Sequence, residues 1–149
     1  MKLHLACGET RLDGWENHDA DMDLYMLPLP FKDGSADRIL LEHFGEHCDS
    51  PQLLRLLDEL YRILKPGGVL RLLCPVVDNR LTIEHARDLA LNHGHRQVLN
   101  SSSMRAFLWM AGFKDDRIFI ATRAPEDSHW RAIGVEKDDL ETCRMVATK

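Results

Sequence analysis

Two groups of residues in this chain have types and spacings that could do chemistry. The first is Gly8, which follows the apolar run Lys2–Cys7, with Asp19 placed 11 positions later. A glycine after a strand lets backbone N–H groups approach an anionic or carboxylate group closely. A carboxylate such as Asp19 can accept hydrogen bonds from both hydroxyls of a ribose. The pair fits a nucleoside cofactor, or else a turn glycine beside a capping or surface aspartate. The dinucleotide version is excluded, because it needs G-x-G-x-x-G and an acid about 20 residues on. The second group is His43-Phe44-Gly45-Glu46-His47. Histidine titrates near neutral pH, so His43 and His47 are the candidate general bases, with loop packing as the plainer role.

The same string reads H-x-x-E-H, the inverted zinc-protease motif, with Cys48 adjacent. That chemistry needs both histidines one turn apart on a helix face. Gly45 lies inside the string, and the next helix is capped only at Asp49 or Ser50, so the segment reads as a loop. A third ligand could come from His93 or His95, which nothing in the sequence positions. No metal ligands are therefore assigned, and a zinc metalloprotein stands as a remote alternative. Cys7, Cys48, Cys74 and Cys143 contain no C-x-x-C pair. They read as reduced thiols of a cytoplasmic protein, with Cys7 and Cys74 as buried small hydrophobes.

The elements that must position these groups follow from periodicity. Lys2–Cys7, Trp15–His18, Ala36–Leu41, Val69–Cys74, Arg117–Thr122 and Thr142–Thr148 read as strands. Leu53, Leu56, Leu57, Leu60, Ile63 and Leu64 form one helical stripe, with Pro51 at its start and Pro66-Gly67-Gly68 at its end. Asn79–Leu91 reads as a further helix. A late helix runs through Met104–Ala111, capped within Ser101–Ser103 and ended by Gly112. Phe107 and Trp109 on it read as core, Trp15 as packed near the cofactor-side edge, and Trp130 as partly exposed in an irregular stretch over 124–137. Asp115-Asp116 and Asp138-Asp139 read as solvated turns. Strands alternating with helices predict an α/β domain with a largely parallel sheet.

The 149 residues carry a net charge of -5, with 44% apolar and 29% charged side chains, which predicts a single domain over 1–149. No apolar run spans a membrane, and no secretory leader is visible. The acidic balance argues against nucleic-acid backbones as partners.

From Leu3 to Phe113, about three quarters of the chain, the sequence resembles the class I S-adenosylmethionine-dependent methyltransferases of the small methyltransferase-domain type. The resemblance rests on LHLACG, GWENHD, DLYMLPLPFKDGSADRILLEHFGEH, LLDELYRILKPGGVLRLLCP and GHRQVLNSSSMRAFLWMAGF in that order. It implies a Rossmann-like, doubly wound, mostly parallel seven-stranded sheet with an antiparallel last strand. The first crossover is truncated, and a very short third strand is expected near Met22–Met26. The cofactor implied is S-adenosyl-L-methionine, with S-adenosyl-L-homocysteine as product. Ala6, Cys7 and Gly8 would hold its amino-acid part and Asp19 its ribose. Asp23 lies near the adenine-contacting acid, Leu27 and Pro28 border the adenine, and His43 lies near the sulfonium methyl. The family loop is usually G-x-G-x-G, whereas Ala6, Gly8 and Thr10 stand at those places here. The resemblance implies methyl transfer to an acceptor, with a small molecule favoured. The alternative is a non-catalytic cofactor-binding domain that acts through a partner. The truncations predict an open cofactor site that a partner protein or a second copy completes. His93-Gly94-His95-Arg96 falls on the acceptor side in the family, or is a solvated loop.

Overall fold

The protein, as a computed structural model, is described at residues 1–75, 94–121 and 142–149. Among these, six strands form one sheet: β1 (Lys2–Leu5), β2 (Glu16–His18), β3 (Ala36–Glu42), β4 (Leu64–Pro75), β5 (Ile118–Ala121) and β6 (Thr142–Thr148). Their order is β2-β1-β3-β4-β6-β5. The first four are mutually parallel, and β6 runs antiparallel to both β4 and β5. The chain steps outward from β1 to β2, then returns to β3 on the other side of β1. That reversal is the topological switch point, where open α/β sheets bind ligands beyond the carboxyl ends of their strands.

The helix α1 (Ser50–Ile63) begins where the sequence predicts. Asp49 accepts from the Gln52 N–H at 2.8 Å, and Gln52 Oε1 accepts from the Asp49 N–H at 2.9 Å. This reciprocal pair satisfies two otherwise orphaned donors. The stripe Leu53, Leu56, Leu57, Leu60 and Ile63 is buried against Leu3, Leu5, Ile39, Leu41, Leu70, Leu72 and Cys74 on one sheet face. The second helix, α2 (Ser101–Met110), adds Met104 and Leu108 to the same core and starts from Asn100, one residue before the predicted cap. Trp109 departs from expectation: it is 63% exposed. Leu108 faces the core, and one residue further turns about 100° around the helix, which carries Trp109 outward. On the other sheet face, Leu12, Trp15, Leu40 and Leu73 pack together.

The seventh strand expected near Met22–Met26 is absent among the described residues. That stretch is turn. The Met22 N–H donates to the Asp19 carbonyl and the Met26 N–H to the Asp23 carbonyl, both at 3.1 Å, and Asp23 Oδ1 accepts from the Tyr25 N–H at 2.9 Å. Aspartates offer local side-chain acceptors that compete with a ladder, and Pro28 and Pro30 follow at once. The three-residue β2 is therefore the sheet edge. The first crossover, residues 6–15, holds only turns, as its shortness predicts.

β4 begins earlier than expected. Leu64 already pairs with Ala36, and Pro66-Gly67-Gly68 lies inside the strand at a register shift. Gly68 is required there, because a Cβ would lie 2.9 Å from the Lys65 carbonyl and 3.1 Å from that of Ala36. The expected helix at Asn79–Leu91, the 124–137 stretch, Trp130, His93, Thr122 and Asp138-Asp139 lie outside the described residues. Asp115 and Asp116 are exposed in a short turn, as predicted.

The last turn of α1 holds the segment that leads into β3. Glu59, 8% exposed, accepts from the Leu29 N–H at 2.7 Å and from Arg62 at 2.6 and 2.8 Å. Arg62 also donates to the Phe31 carbonyl at 2.9 Å and pairs with Asp33. The Arg62 hydrogen bonds hold the Glu59 carboxyl below its ordinary range, and burial opposes them. A depressed carboxyl stabilises the fold above its unfolded pKa of about 4.3, and that stability is lost as pH falls through the folded value. Glu59→Gln is expected to destabilise the protein by about 2 kcal/mol at pH 7 in urea unfolding, since it removes the buried one of the two carboxylates that pair with Arg62. The deficit should shrink as the pH falls below the unfolded pKa of about 4.3 and vanish only below the lower folded value, where the native carboxyl is itself protonated.

Candidate functional site

β1 and β3 flank the switch point and end level with each other, with Leu5 opposite Leu41. Each is followed within two residues by a non-glycine in the left-handed region: Ala6 at φ 52° and His43 at φ 48°. Such residues cost about 1–2 kcal/mol each and cluster at functional sites. The sequence carries no signal for either. Gly8 is also left-handed, at φ 53°, with open space where a Cβ would project. The chain thus leaves β1 through two left-handed turns separated by Cys7, whose N–H is fixed on the His18 carbonyl at 3.1 Å.

Asp19 sits just past β2 and accepts the Gly8 N–H on Oδ1 at 3.1 Å. Its second oxygen accepts nothing among the described residues, and the side chain is exposed. The two residues singled out by spacing therefore meet. His18 is locked beside them, with Nδ1 2.8 Å from Asp21 Oδ2 and its ring edge-on to Phe31 at 5.8 Å. Asp21 carries a lowered pKa, chiefly because it accepts the Asp19 N–H, with His18 contributing next. Sequence reasoning passed over His18 and Asp21, although both lie in the same acidic turn. Asp23, Leu27 and Pro28 follow along one loop. Asp23 caps its turn, Leu27 is half-buried and Pro28 is exposed.

On the other side of the switch point, the His43 N–H donates to the Leu73 carbonyl at 2.7 Å, and its ring Nδ1 lies 3.5 Å from Glu46 Oε1. The side chain is 41% exposed. Only Gly45–His47 is helical, as a single 3-10 turn, so His43 and His47 are not one turn apart on an α-helix. His47 turns its Nδ1 to the Gly94 carbonyl at 3.3 Å and packs edge-on against His95 at 5.0 Å. The pair of histidines predicted as bases is thus divided. His43 stands at the end of β3, and His47 is engaged with the segment before α2.

An exposed glycine turn with a free carboxylate oxygen opposite it fits the amino-acid and ribose ends of an adenosyl cofactor. The backbone is bare where the ligand must approach, and the acid presents acceptor capacity. Residues 6–72 match the family model described as a methyltransferase domain. No curated protein matches the chain by sequence. Among the solved structures that share its fold, three illustrate the likeness. A SAM-dependent methyltransferase from Archaeoglobus fulgidus has a TM-score of 0.68 at 14% identity, over 99% of this chain and 85% of that one. The complex of the Haloferax volcanii Trm112 methyltransferase activator with a methyltransferase gives 0.69 at 16% identity, over 99% and 81%. Human N-acetylserotonin methyltransferase, crystallised with SAM, gives 0.64 at 16% identity, over 99% and 40%. The family match stops at residue 72, and beyond it the likeness to these methyltransferases is one of fold.

Among the described residues, no helix is long and apolar enough to cross a membrane. Cys48, 1% exposed, has its thiol pushed up to about 11, first by burial and then by Asp49 and Glu46. The thiolate is the reactive form. Iodoacetamide at pH 8 is expected to leave Cys48 unmodified in the native protein and to modify it fully in urea. Peptide mass spectrometry reads both states, and rapid native labelling would contradict the burial.

Proposed function

We propose that this domain, taken as residues 1–149, transfers the methyl group of S-adenosylmethionine to a small-molecule acceptor. The observation that supports this most directly is the Gly8–Asp19 hydrogen bond at the switch point, across from His43. The bound cofactor supplies a sulfonium methyl already activated for in-line displacement and leaves as S-adenosylhomocysteine. What remains for the protein is positioning. The backbone of Ala6, Cys7 and Gly8 holds the amino-acid end, and Asp19 takes the ribose hydroxyls on its open oxygen. Asp23, Leu27 and Pro28 border the adenine. His43, raised on a left-handed residue at the end of β3, faces the methyl and orients the acceptor or takes its proton. His47 contributes from the acceptor side. The acidic net charge of -5 favours an acceptor other than nucleic acid.

A second reading has the domain bind the cofactor and work only with a protein partner or a second copy. The sheet edge favours it, since among the described residues no strand pairs with the outer side of β2, where a further one is expected. One structural neighbour is a methyltransferase activator complex.

Calorimetry with S-adenosylhomocysteine, followed by a labelled-methyl screen over small acceptors, separates the readings. Binding with transfer by the isolated chain supports the first, and binding without transfer supports the second. No binding overturns both. Asp19→Ala is expected to weaken S-adenosylhomocysteine binding by about 30- to 150-fold, the loss of charge-assisted hydrogen bonds worth about 2–3 kcal/mol. His43→Ala should abolish turnover while changing that affinity by less than about threefold. Full activity in His43→Ala would remove His43 from the reaction.

A further inference from the structure

Glu46 and His47, neighbours in the chain, come together with His95, which lies far along the sequence. One ligand atom from each lies within 4.8 Å of the others. Tetrahedral donors on bonds of about 2.0–2.2 Å sit about 3.4 Å apart, so small side-chain rotations close the set. The backbone beneath is already fixed. The Glu46 carbonyl accepts from the Arg96 N–H at 2.9 Å and the Gln97 N–H at 3.4 Å, and Gln97 Nε2 donates to the Gly45 carbonyl at 3.2 Å. Ser50 Oγ then donates to Gln97 Oε1 at 2.9 Å. The 3-10 turn and the segment before α2 are laced together at the point where the three side chains converge.

A second observation calls for a cation. Glu46 is 2% exposed, and its Oε2 is buried without a hydrogen-bond partner among the described residues. A buried carboxylate oxygen left unpaired is costly. Arg96, next to His95 in the chain, sends its guanidinium to Gln52 Oε1 at 3.4 Å instead. The contact of His47 Nδ1 with the Gly94 carbonyl places the proton on Nδ1 and leaves Nε2 with a lone pair. A backbone carbonyl behind the ring is the usual support of a metal-bound histidine.

We propose that Glu46, His47 and His95 form a binding site for a divalent cation of the zinc class. Two imidazoles and one carboxylate suit that ion, and three protein ligands leave a fourth position for water or a small ligand. This set differs from the H-x-x-E-H reading, in which His43 and His47 would be the paired ligands. The set shares His47 with the proposed acceptor side, but its test does not involve the cofactor.

The test is zinc binding to the full chain, by competition with a chromophoric chelator, supported by the visible spectrum of the cobalt(II)-loaded protein. The wild-type chain is expected to take up one equivalent of Zn2+ with Kd below about 10 μM and to give cobalt bands of four-coordinate intensity. His95→Ala and His47→Ala, both at partly exposed positions, should weaken binding at least about 30-fold while keeping the native circular dichroism spectrum. Glu46→Gln, which keeps the side-chain shape, should do the same. Kd above about 100 μM in the wild type would overturn the proposal. So would unchanged affinity in folded His47→Ala and His95→Ala.

Discussion

Much of this structure hangs on the ion pair between Glu59 and Arg62 in the last turn of α1. The two side chains meet the backbone of Leu29 and Phe31, a stretch with no ladder of its own. The main chain of the same turn continues the contact: the Gly34 N–H donates to the Arg62 carbonyl at 3.0 Å and the Ser35 N–H to that of Ile63 at 2.8 Å. One helix end therefore satisfies a whole connecting segment. Because Ala36 enters β3 directly from it, the pair also sets the register of β3 against β4. A buried ion pair is weak evidence of net stability but strong evidence of placement, since removing one partner leaves the other stranded.

That placement reaches the site from both ends. The clamped segment begins just after Leu27 and Pro28 and ends at the strand that carries His43. The Leu27–Pro28 loop and His43, which the proposed function sets against the cofactor, thus share one anchor. The other walls of the site depend on shorter links: the Gly8–Asp19 contact on the β1 side and the Glu46 carbonyl on the α2 side.

Elements with strong local signals were legible in the sequence. The apolar stripe and Asp49 cap of α1, the dense run of β4, and the Gly8–Asp19 spacing each reported their own structure. Met22–Met26 misled because a family pattern asked for a strand where aspartate side chains close turns. Trp109 misled because an aromatic on a helix was read as core without counting its phase against Leu108. The left-handed backbone at Ala6 and His43 was invisible, since neither residue type announces it. The meeting of Glu46, His47 and His95 was equally hidden. It arises from backbone hydrogen bonds between segments far apart in the chain, and no local spacing encodes that. The histidines were noticed as chemistry, but only tertiary structure decides which acid stands between them.

The left-handed backbone at Ala6 and His43 also bears on how this protein can be changed. At such positions glycine carries none of the Cβ penalty, so selection for thermal stability alone would tend to replace both residues. A screen for heat resistance and a screen for activity should then disagree at these two positions while agreeing across the leucine core. Where the two selections pull apart marks what the chain retains for reasons other than folding.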